Sequence, residues 1–122
     1  MKRTNALRPS LVSLTMASLL SLMIMNSGDL RADDFRRGDV NTDGNIDISD
    51  SISLLVHLSG EESLSCDDAA DCNDDGAINV GDVIYGLAYL FVPSTPDFPA
   101  PSSCGSDPTS DALSCVSFSS CP

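Results

Sequence analysis

The chain has 122 residues, with 18 acidic side chains against 6 basic ones, a formal net charge of −12, five cysteines and no tryptophan. That length holds one small domain, and with a single histidine it leaves little room for an enzyme with a substrate pocket of its own. The acid excess argues against polyanionic partners such as nucleic acid or an anionic membrane surface, and makes cations the natural ligands.

The first segment, residues 1–32, reads as a secretory signal peptide. Lys2, Arg3 and Arg8 precede an uncharged apolar run from Leu11 to Met25, and small or polar residues follow. The competing reading is an uncleaved membrane anchor. The run is 15 residues long and interrupted by Ser13, Thr15, Ser18 and Ser21, short of the ~20 that span a bilayer. Ala32 is taken as the last residue removed. Without this segment the chain carries −15, because its 17 acids face only Arg36 and Arg37. All five cysteines lie beyond residue 32, and export to an oxidising compartment makes disulfides their default fate.

Asp39 to Asp50 then presents acids and amides at alternate positions: Asp39, Asn41, Asp43, Gly44, Asn45, Asp47 and Asp50. A tight loop around one hard cation needs this spacing, since alternate side chains point inward and supply oxygen. Asp39, Asn41 and Asp43 are the first three ligands, and Gly44 permits the sharp turn after them. Asn45 offers its backbone carbonyl, Asp47 binds directly or through water, and Asp50 closes the sphere. A helical periodicity follows in Ile48, Ile52, Leu55, Val56 and Leu58, read as a helix with one buried face.

The same grid recurs without a gap 32 residues later, from Asp71 to Asp82. Asp71, Asn73, Asp75, Gly76, Ala77, Asn79 and Asp82 take the corresponding roles. A second helical pattern follows in Val80, Ile84, Leu87, Ala88, Leu90 and Phe91. One Asp-Gly pair alone would read as a hairpin turn, but two copies of a six-position pattern favour two calcium ions. The donors are all oxygen, with no histidine or paired thiolate in register, which disfavours transition metals. Four carboxylates in the first loop against three in the second predict tighter binding at the first. Asp stands at the last position of both loops, where Glu is commoner, so bidentate closure is less assured.

The predicted fold is therefore small and all-α: two loop-helix calcium repeats packed antiparallel over residues 35–92, followed by a Pro/Ser-rich, disulfide-stapled tail over 93–122. Helices this short are marginal alone, so folding is expected to depend on metal. Pro93 to Ser103 should be extended. Cys66 is expected to pair with one of Cys104, Cys115 and Cys121, and the other two with each other. Cys72 is left as a free thiol or for a pair between molecules. Arg37-Gly38-Asp39 spells an adhesion tripeptide, read as coincidence because Asp39 is the first calcium ligand. His57 is read as a surface or edge residue, and Asp67, Asp68 and Asp74 as solvated.

The duplicated grid with Asp at its last position, the lack of room for helices entering the loops, and the spacing of the copies resemble a dockerin. The match covers about residues 35–92. It also resembles the dockerin-type repeats of secreted planctomycete proteins through Phe35 to Asp39, Cys66 to Asp71 and Cys104 to Thr109, which extends the likeness over nearly all of 33–122. The resemblance implies a non-catalytic, EF-hand-related calcium module, secreted or at the cell surface, that associates with a cohesin-like protein partner. It implies no contact with nucleic acid, nor with membrane once the signal peptide is removed. Loop positions 10 and 11, usually hydroxyl-bearing in dockerins, here hold Ile48-Ser49 and Val80-Gly81. The alternatives are a matrix protein rigidified by calcium and disulfides without such a partner, and an accessory subunit in polysaccharide catabolism.

Overall fold

Asp47 starts the first helix. Its carboxylate accepts the Ser49 amide at 2.8 Å, and Asp50, one turn in, accepts the Asp47 amide at 2.9 Å. This reciprocal capping box opens α1, Ile48–Leu58, and contributes ~1 kcal/mol. Gly60, at φ +84°, donates to the His57 carbonyl and ends it. A single turn, α2, spans Asp67–Ala70. Asn79 and Asp82 repeat the capping box at the start of α3, Val80–Phe91. A computed structural model describes residues 33–122. Among them there is no named β-strand, only isolated antiparallel bridges at Phe35–Gly105 and Cys66–Cys115. The expected signal peptide lies outside the described residues, and within them no helix is long and apolar enough to cross a membrane.

Helices α1 and α3 pack together, but not through the faces that periodicity suggested. The buried residues of α1 are Asp50, Ser51 and Leu54, and those of α3 are Asp82, Val83 and Gly86. A Cβ added to Gly86 would lie 3.1 Å from the Ser51 hydroxyl, so small residues set the approach. Val40, Leu54, Ala70 and Val83 form the core here, with Leu64, Ile78 and Leu87 packed against it. Much of the stripe expected to be buried instead faces outward: Ile48, Ile52, Leu55 and Leu58 on α1, and Val80, Ile84 and Phe91 on α3, are exposed, while Val56, Leu87, Ala88 and Leu90 are half-buried. Close helix approach selects small side chains over large ones, which displaces the bulky stripe to the surface.

The tail packs into the same unit. Phe98 lies 4.5 Å and 5.8 Å, ring centroid to centroid, from Tyr89 and Tyr85, and its ring covers Gly38, where an added Cβ would meet it at 2.8 Å. The disulfides are Cys66–Cys115 and Cys104–Cys121, which selects one of the three pairings that spacing left open. Phe35, Cys66, Ala69, Cys115 and Phe118 form a second core cluster around the first bridge. Cys72 is free and buried, which sets aside a bond between molecules. Burial pushes its thiol up to about 12, and the nearby carboxylates of Asp82, Asp50 and Asp71 add to the shift.

Candidate metal centre

All twelve residues expected as ligands lie in two loops that share most of their internal hydrogen bonds. In the first, Asp39 Oδ1 accepts the Asp43 amide at 3.0 Å and Oδ2 accepts the Gly44 amide at 2.9 Å. In the second, Asp71 accepts the Asp75 and Gly76 amides at 3.1 and 2.8 Å. Asn41 and Asn73 each accept the amide two residues on at 3.1 Å, and Asp43 and Asp75 do likewise with the Asn45 and Ala77 amides. The amide groups of Asn41 and Asn73 both donate to the neighbouring carboxylate at 3.0 Å. Thr42 and Asp74 share a left-handed backbone, as do Gly44 and Gly76. Sequence alternation produces this directly, because each short Asp or Asn side chain folds back onto the backbone N–H two residues ahead.

Asp50 and Asp82 anchor the loops from the first turns of α1 and α3. Asp50 accepts the Val40 and Asn41 amides at 2.8 and 3.2 Å, and Asp82 accepts the Asn73 amide at 3.3 Å. Both are buried. Burial raises both carboxyls above the usual range against the pull of these amides, and the negative charge of Asp39 adds to the rise at Asp50. Exposed Asp47 is held below its usual value by the side chain and amide of Ser49. Asn79 caps α3 and also donates to the Ala77 carbonyl at 3.0 Å.

Closely grouped carboxylates occur elsewhere. Among the described residues, Asp71, Asp74 and Asp111 form one group, and Asp68, Asp107 and Asp111 a second, each with ligand oxygens within 4.8 Å of one another. These clusters of Asp can hold a metal ion. Only Asp71 belongs to the expected ligand set. The carboxylates of the first loop form no such group. Oxygen-only donors of this kind suit hard divalent cations.

No family model, no curated protein and no solved structure matches the chain. The site is therefore argued from its own chemistry.

Several residues that matter here lie outside the repeated grid. Arg37 is 1% exposed and donates to the carbonyls of Ala100, Asp68 and Asp71 and to the carboxylates of Asp107 and Asp74, at 2.8–3.1 Å. Its burial, with that of Gly38 and Asp39, removes the adhesion tripeptide from the surface. Ser120 donates to Asp39 at 3.0 Å and to the Thr42 carbonyl at 2.9 Å. Thr109 donates to Asp74 and Asp107 at 2.9 Å. The tail thus touches both loops. Asp68, expected to be solvated, is buried, and Asp74 is partly covered by its pair with Arg37. Charge offered only a partial signal: Arg36 and Arg37 are the two cations against 17 acids, and of the two only Arg37 is buried.

Proposed function

We propose that this chain is a secreted, non-catalytic calcium-binding module of dockerin type, with two EF-hand-related loops that each hold one ion. The observation that carries the reading is the repetition of the loop at an offset of 32 residues, with the bonds of Asp39, Asn41 and Asp43 to loop amides matched by those of Asp71, Asn73 and Asp75. Asp39, Asn41, Asp43, Asn45, Asp47 and Asp50 would hold the first ion, and Asp71, Asn73, Asp75, Ala77, Asn79 and Asp82 the second, with Asn45 and Ala77 acting through their carbonyls. The ion would neutralise each ring of carboxylates and fix the entry of the following helix.

The module associates with a protein partner, of cohesin-like class, through the outward faces of α1 and α3. Support comes from equivalent positions: Ile48 and Ile52 in the first repeat, and Val80 and Ile84 in the second, are 51–61% exposed. Paired apolar stripes on two neighbouring helices are a common form of docking surface. The experiment is a calcium titration of the purified protein followed by circular dichroism and calorimetry, with capture of a partner in calcium and in chelator. Binding of two loop ions and partner release by chelator are expected; no calcium binding would overturn the reading.

A second reading, a rigid matrix component without such a partner, is favoured by the tail, whose two disulfides and loop contacts brace the molecule. Calcium binding with no partner captured in either calcium or chelator would favour it.

A further inference from the structure

Asp68 is 3% exposed, and among the described residues its carboxylate accepts no hydrogen bond and forms no ion pair, its oxygens keeping only a narrow opening to solvent. A buried carboxylate in that condition is costly, and folded proteins supply it with a counter-charge. The nearest cation, Arg37, offsets that charge only through space. All five N–H donors of Arg37 are committed: Nε to the Ala100 carbonyl, Nη1 to the backbone carbonyls of Asp68 and Asp71, and Nη2 to Asp74 and Asp107.

What the Asp68 carboxylate faces instead is more negative charge. Its ligand oxygen lies within 4.8 Å of those of Asp107 and Asp111. Each of these two tail residues has one oxygen occupied: Asp107 Oδ1 by Arg37 and Thr109, and Asp111 Oδ1 by the Leu113 amide at 2.7 Å. Among the described residues, the Oδ2 atoms of both accept no hydrogen bond. Three carboxylates on two separate chain segments, one of them nearly buried and without a partner among the described residues, thus converge with spare oxygens.

We propose that Asp68, Asp107 and Asp111 hold a further divalent cation, of the hard, oxygen-seeking class that includes calcium, between α2 and the tail. The donor set contains no nitrogen or sulfur, which disfavours zinc and copper. None of the three residues belongs to either loop, so this site is additional to the two proposed above and does not depend on them. Its ion would tie residues 107–111 to α2 and supply the charge that Asp68 lacks.

The test is calcium binding by the purified protein, measured by calorimetry, in Asp68→Asn, Asp111→Ala and Asp39→Ala/Asp71→Ala variants. Asp68→Asn preserves shape, and Asp111 is exposed, so both variants should fold. The expected result is one ion fewer in Asp68→Asn than in the parent. In chelator the same variant should melt at a higher temperature than the parent, because an unpaired buried charge is gone. In calcium its advantage should vanish or reverse. The loop double variant should lose two ions and keep the one that Asp68→Asn removes. If the double variant loses none while Asp68→Asn loses one, the loop assignment falls and this site stands. Unchanged stoichiometry in both Asp68→Asn and Asp111→Ala overturns this site, whatever the loops do.

Discussion

The Ser120 hydroxyl donates a 3.0 Å hydrogen bond to Asp39 Oδ2, across 81 residues of chain. Asp111 occupies the matching place over the other loop: its Cβ lies 3.5 Å from where a Cβ on Gly76 would be, as Ser120 does at Gly44. A tail without regular structure therefore seats one polar residue against the glycine of each loop.

Asp39 and Asp71 each hold two backbone amides as well as facing the proposed ion. Replacing either by alanine removes one calcium site and, in chelator, also leaves two loop amides unpaired, at a cost of ~1–3 kcal/mol. Calorimetric stoichiometry and thermal unfolding read the two effects separately. Full retention of calcium sites in either variant would refute the ligand assignment.

Gly38 and Gly60 separate strain from crowding. Both have φ near +90°, but an added Cβ meets the Phe98 ring at 2.8 Å at Gly38 and nothing within 4 Å at Gly60. Gly60→Ala should cost ~1 kcal/mol from backbone strain alone. Gly38→Ala should cost a further ~1–3 kcal/mol from overpacking. Urea midpoints of the two variants test the ranking.

Arg37→Met should destabilise by ~3–5 kcal/mol, since it leaves Asp74 and Asp107 without their cation. Arg37→Lys should recover only part of this, because an ammonium cannot reach five acceptors in a planar fork. Equal stability of the lysine variant and the parent would show that charge alone suffices.

The stability of the metal-free protein should rise as pH falls from 7 towards 5. Burial, with Asp107 and Asp111 adding, raises the Asp68 carboxyl from 3.8 to about 6, and Asp50 and Asp82 are raised in the same direction. The folded state therefore binds protons more readily than the unfolded chain, and the stabilisation is lost as pH rises through about 6. Asp68→Asn should flatten the profile. In excess calcium the dependence should reverse, because protons then compete with the ion. Melting temperatures across this range, with and without chelator, check both signs.

Helix positions were legible because local chemistry sets them: the Asp47–Asp50 and Asn79–Asp82 capping boxes and the apolar periodicity mark α1 and α3. Their orientation was not. Periodicity finds the bulkiest stripe, whereas Ser51 and Gly86 determine how closely the helices approach and so which face turns inward. The hydrogen bonding of the loops was readable from alternation, since each Asx side chain bonds to its own neighbourhood. Asp68, Asp107, Asp111 and Ser120 were not, because contacts between α2 or the loops and an aperiodic tail leave no spacing to detect. Disulfide pairing likewise depended on where that tail runs.

Cys72 bears on how five cysteines yield two bridges. A thiol pushed up to about 12 is thiolate in only ~1 part in 10⁵ at pH 7, and the thiolate is the attacking species in disulfide exchange. Once the second loop closes over it, Cys72 is withdrawn from that chemistry while Cys66, Cys104, Cys115 and Cys121 hold their partners. Burial thus keeps the fifth sulfur apart from the two bridges, and a change that opens the second loop should bring it within their reach.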